Sequence, residues 1–177
     1  MLKFLYGVIK YMRVLRLTFV VGCLFSIFTV FTAFSAFASD ACYTNVEAEA
    51  EQGIRIHSEL MVIGLNCVHM SDAKGKNLYT EHKKFTAKHK DLIANYETIM
   101  MEYLQRNGQK DPERAMHSMR TKFANKISND VATMRPDIFC KTYAKRIEKV
   151  GKMDDEALRK WAATPFPEHP VSHPMCK

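Results

Sequence analysis

The sequence predicts an all-α protein: an up-down four-helix bundle with a short fifth helix and an extended, proline-rich carboxyl-terminal tail. Apolar residues recur at spacings of three and four rather than two, which is the helical period. Capping and breaking residues fall between those apolar stripes. Pro165, Pro167, Pro170 and Pro174 crowd the end of the chain, where helix cannot continue. Short connections between long helices make neighbours antiparallel, hence the up-down winding.

The first helix is expected over residues 44–70. The Thr44 hydroxyl can cap its first turn while Glu47 reaches back, the spacing of a capping box. Its second half, from Leu60 to Val68, is apolar nearly all round, as in a helix surrounded by others. Gly53 and Gly64 each permit close approach of a neighbour, at a propensity cost of about 1 kcal/mol apiece. After the polar connection 71–77, Phe85, His89, Leu92, Tyr96, Ile99 and Tyr103 mark one stripe of a second helix that stops near Asn107-Gly108. Asp111-Pro112-Glu113 restarts the chain with an acceptor at the cap and proline in the first turn. The third helix carries Met116, Met119, Phe123, Ile127 and Met134. Pro136 opens a fourth, with Phe139, Tyr143, Ile147 and Val150 inward, before Gly151 closes it. A fifth, over residues 154–162, brings Leu158 and Trp161 to the body.

Ahead of all this, 23 residues from Leu17 to Ser39 carry no charge, follow four cations and end in Ala36-Phe37-Ala38. A basic region, an apolar run and a small-residue site are the parts of an export signal, placing cleavage after Ala38. Seven of the eleven phenylalanines lie in these 38 residues, as suits a discarded segment. About 20 apolar residues also span a bilayer, so an uncleaved anchor is the rival. Lipoprotein processing at Val20-Val21-Gly22-Cys23 is a weaker third reading, because the apolar run continues past Cys23. All three imply export. The division is then 1–38 leader or anchor, 39–163 helical bundle, 164–177 tail, and the location periplasmic or secreted.

The formal net charge of +7 misleads until the leader is set aside. Lys3, Lys10, Arg13 and Arg16 lie there with no acid, so 22 of the 26 basic residues remain against 19 acidic ones, a balance of +3. A role in coating nucleic acid loses its support, and no binding motif replaces it. Four cysteines remain, Cys42, Cys67, Cys140 and Cys176, an even number bound for an oxidising space. No close C-x-x-C pair suggests metal or redox chemistry. In the up-down winding Cys67, late in helix one, meets Cys140, early in helix four. Cys42 meets Cys176 at the opposite pole. These are the expected bridges.

Candidate chemistry is sparse. His57-Ser58-Glu59 holds the residue types of a catalytic triad, but consecutive helical residues point about 100° apart. Glu47, Glu51, Arg55 and Glu59, spaced by four, read as a solvated ridge of ion pairs rather than a glycosidase acid pair in a cleft. The tail offers His169, His173, Met175 and Cys176 as a ligand set for copper or zinc, though each histidine precedes a proline and Cys176 is wanted in a bridge. Cys67-Val68-His69-Met70 lacks the C-x-x-C-H of covalent haem attachment; an inward His57, His89 or His117 leaves non-covalent haem as an alternative. The methionines read as adaptable core filler. Lys74, Lys76, Lys83, Lys84, Arg135 and Lys141 are expected to gather at the Cys67–Cys140 pole as a cationic surface for lipid headgroups, cell-wall polymer or an acidic partner.

The segment from Glu49 to Cys67, EAEQGIRIHSELMVIGLNC, is similar to the first helix of small, exported, four-cysteine helical proteins of bacteria. The likeness extends to about Val150, excludes leader and tail, and implies a bacterial periplasmic setting without carrying any active-site residue across. The expectation is therefore an exported, non-catalytic helical protein of the cell envelope with a binding or structural role. No cofactor is expected. Its partner is an envelope protein or anionic envelope surface, and it meets membrane only through a retained leader or headgroup contact. A periplasmic metal- or haem-binding protein is the alternative.

Overall fold

A computed structural model describes residues 41–71 and 74–177; the expected leader, its cleavage site and Cys23 lie outside them. The described residues contain six α-helices, α1 (Asn45–Asn66), α2 (Leu78–Lys88), α3 (Lys90–Arg106), α4 (Pro112–Thr133), α5 (Pro136–Val150) and α6 (Asp155–Ala162). The described part is all-α. Among these residues the only β pairings are isolated bridges, Tyr43 with Met175 and Ser71 with Asn77. None of these helices is long and apolar enough to cross a membrane.

The local punctuation behaves as its chemistry requires. Thr44 and Glu47 form the capping box, with the Glu47 carboxylate accepting the Thr44 N–H at 2.8 Å. Asp111 accepts from Arg114 N–H at 2.9 Å ahead of Pro112, and Asp154 from Ala157 N–H at 2.8 Å. Asn77 both caps α2 and donates its side-chain amide to Val68 O at 2.6 Å, tying the first connection to the helix it opens.

Three expectations need correcting. The second helix is two, because the chain kinks at His89, which is both the last cap of α2 and the first of α3. The bonds from His89 N–H to Phe85 O and from Ile93 N–H to His89 O run across the kink, at 3.0 and 2.9 Å. The kink seats the His89 ring wholly inside, against Phe85, with Nδ1 2.5 Å from Asp155 Oδ1 on α6. Second, α1 ends at Asn66 rather than near 70, where the chain turns at Cys67. Third, the far half of α1 is not surrounded. Leu60, Val62 and Ile63 are buried, but Met61, Leu65 and Val68 are 39%, 54% and 52% exposed.

α1 is the centre of the molecule and packs against each of the other five helices. Its glycines are where neighbours come closest: the Tyr96 ring of α3 lies over Gly53 and the His82 ring of α2 over Gly64. Ala50, Ile54, Leu60 and Ile63 meet Phe85, Tyr96, Met100, Phe123, Phe139 and Ile147 in one continuous core. Cys67 pairs with Cys140 and Cys42 with Cys176, the expected partners.

Candidate functional site

The ridge Glu47, Glu51, Arg55, Glu59 was expected to face water. It faces inward: the four are 5%, 0%, 8% and 6% exposed. Each charge has a partner from a distant part of the chain. Glu47 accepts from Arg106. Glu51 accepts from Arg55 Nη2 at 2.8 Å and, through both oxygens, from Ser172 N–H at 3.1 Å. Arg55 also donates to Pro170 O at 2.9 Å and lies 4.3 Å from the centre of the Phe123 ring. Glu59 accepts from Arg146 Nη1 at 2.9 Å. Charges can be buried like this only because opposite charge and hydrogen bonds replace lost hydration.

The ridge holds the tail. Beyond the bonds to Pro170 and Ser172, Gln52 donates to His169 O at 2.6 Å, Tyr43 N–H to Pro174 O at 2.8 Å and Cys176 N–H to Tyr43 O at 2.9 Å. Tail numbers rise as α1 numbers fall, so the tail runs back along α1 as an extended strap. Its far end is fixed by the Cys42–Cys176 bridge.

Between this strap, α1, α5 and α6 lies a cleft of about 370 Å³. Glu59, Arg55 and Gln52 of α1 form one wall, Lys145, Arg146 and Lys149 of α5 another, and Trp161, Phe166, Glu168 and His169 the rest. Lys149 sits 4.4 Å from the Trp161 ring centre, a cation–π contact. Lys126 donates to Glu168 O at 2.7 Å and lies 3.2 Å from His169 Nδ1. An ammonium can only donate, so Nδ1 accepts and the ring proton sits on Nε2. Burial, and then Lys126, pushes the His169 pKa down, in keeping with a neutral ring. Nδ1 is also 3.4 Å from Glu59 Oε1 but has no proton to give it. Glu59 Oε1 is consequently buried without a hydrogen-bond partner, and so, independently, is Arg55 Nε. The two ends of the ladder differ. Burial pushes the Glu59 carboxyl up despite Arg146, Arg55 and Lys126. At Glu47 burial acts the same way, but Thr44 and Arg106 outweigh it and hold the carboxyl low.

A second groove of about 800 Å³ runs between the start of α1, the end of α6 and the tail. Gln52, Phe166 and His169 line both spaces.

The residues singled out from sequence are distributed as follows. The tail histidines diverge: His169 lies beside Glu59, whereas the His173 ring packs 5.0 Å from Tyr43 and 5.5 Å from Tyr103, near the opposite end of α1. The two rings have different neighbours and Cys176 is in a bridge, so the ligand set does not converge. No group of three or more His, Cys, Asp or Glu suited to a metal occurs among the described residues. Triad-like His57, Ser58 and Glu59 point apart, to Thr86, Ile54 O and Arg146. His89 is buried, His57 half-buried 6.1 Å from the His82 ring, and His117 exposed. Lys74, Lys76, Lys83, Lys84, Arg135 and Lys141 are all exposed, and they are spread along the bundle. Arg135 precedes the first turn of α5 and pairs with Asp137, while Lys74 lines a small cleft with Glu148 and Gly151 at the other end of that helix, about 22 Å away. Lys84 pairs with Glu81 and Lys83 lies over Tyr79.

Arg55, Glu59, Arg146, Lys149 and Trp161 had no part in the sequence-level site. A solvated ridge and a buried ladder share one residue spacing. Only partners 59 to 121 residues away tell them apart. No protein-family model, curated protein or solved structure matches the chain.

Proposed function

We propose that this is an exported, non-catalytic protein of the cell envelope, wound up-down-up-down with α2 and α3 together as the second rod, that binds a small organic anion in the cleft beside Glu59. The cationic lining carries the reading, and the buried Arg55 Nε–H on the same wall lacks the acceptor that a ligand oxygen would supply. Four cations and two carboxylates line the space, which favours negative charge. Trp161 and Phe166 supply apolar wall. Arg55 and Arg146 are tied into ion pairs that hold the ladder, a structural use that favours binding over catalysis. The two bridges suit an oxidising compartment.

Calorimetry on protein produced from the full-length gene, with benzoate against benzylamine, tests the reading. Benzoate binds and benzylamine does not, and Lys149→Glu with Lys145→Glu weakens benzoate at least tenfold while leaving the melting temperature within a few degrees. Equal binding of both compounds, or of neither, refutes it.

A further inference from the structure

We infer that the ligand is a free single-chain amphiphile, its anionic head in the cleft beside Glu59 and its alkyl chain in the groove between the start of α1 and the tail. This rests on the anion-binding reading and extends it. The two spaces share Gln52, Phe166 and His169 as lining, so one opens into the other. Their chemistry differs. The cleft has the cations Lys145, Arg146 and Lys149, whereas among the described residues Glu49 is the only charged side chain bordering the groove. Three of the seven large apolar side chains exposed among the described residues, Val46, Phe166 and Met175, line it, at 56%, 37% and 43% exposure. Exposed apolar area gathered in one concave place marks a binding site more strongly than the same area scattered.

The groove wall is also poor in donors. Pro165, Pro167 and Pro170 contribute rings and no N–H, and the Ser172 N–H beside them is consumed by Glu51. Ala162 and Ala163 keep the α6 side shallow. With its polar side chains limited to Asn45, Glu49, Gln52, Thr164 and His169, the rest of this surface offers an alkyl chain desolvation. Volumes of about 370 and 800 Å³ are each within the range of small-molecule sites.

The test is a carboxylate series, hexanoate, octanoate and decanoate, titrated into protein made from the full-length gene. Affinity rises roughly threefold to fourfold per methylene, the value of burying each in an apolar site. Val46→Glu and Met175→Glu, both at exposed positions that spare the core, flatten that slope while leaving benzoate affinity unchanged. Met61→Glu, on the apolar stripe outside the groove, leaves the slope intact. A flat series in the unaltered protein overturns the inference, whatever polypeptide or lipid surface then covers the groove, and leaves the anion site standing if benzoate still binds. Failure of every carboxylate overturns both.

Discussion

Gly53 has a cost that its neighbour explains. Glycine inside a helix gives up about 1 kcal/mol relative to alanine. A Cβ there would lie 2.3 Å from Tyr96 Cε2, and the ring cannot withdraw, being 1% exposed and anchored by its hydroxyl to Glu49 at 2.8 Å. Gly53→Ala should therefore destabilise by about 2 kcal/mol despite better helix propensity, read as a shifted urea midpoint. At Gly64 the contact is 3.0 Å, to His82. His57 governs a pH effect. Burial, then His82 and Arg120, pushes its pKa from 6.5 down to about 4. The unfolded chain takes the proton first, so the stability is complete above pH 6.5 and is lost as pH falls toward 4. At about 1.4 kcal/mol per pKa unit the loss approaches 3 kcal/mol. Glu59, pushed up, works in the opposite sense as pH falls toward 4.5 and offsets part of it. Stability of His57→Gln, measured between pH 7.5 and 5, should decline less than that of the parent.

At the scale of the element, the tail is a strap with a single turn of its own, His169 N–H to Phe166 O at 2.9 Å, so most of its order comes from α1. Glu51 is the joint, since both its oxygens take Ser172 N–H and one also takes Arg55. Glu51→Gln leaves Arg55 buried beside a neutral group, which should cost about 3 kcal/mol and open the tail to proteolysis near Phe166. Limited digestion followed by mass spectrometry would read this directly. The helix starts were legible because capping is local: Thr44 with Glu47, Asp111 with Pro112, and Asp154 sit within one turn of what they cap. The kink at His89 was not, because no proline or glycine marks it and the partner of its ring, Asp155, is 66 residues away. The buried ladder escaped notice for the same reason, and with it the cleft. Strap and cleft depend on a polar seam that no periodicity distinguishes from a wet face.

Across the whole molecule the two bridges are nested, the span from Cys42 to Cys176 enclosing that from Cys67 to Cys140. Loop entropy grows only with the logarithm of length, so spans of 134 and 73 residues differ little. In the chain-entropy model each contributes roughly 4 to 5 kcal/mol, and the pair should agree within about 1 kcal/mol. Serine replacement of either pair, compared by chemical denaturation, checks this; a much larger loss at Cys67 and Cys140 would point to packing rather than entropy. The nesting also bears on biogenesis. Of the four bridged cysteines, ribosomes release Cys42 first and its native mate last, so oxidation in order of appearance couples Cys42 to Cys67 and leaves Cys140 to Cys176. A cell lacking a disulfide isomerase should accumulate that consecutive isomer, because the native pairing of Cys42 must wait for Cys176.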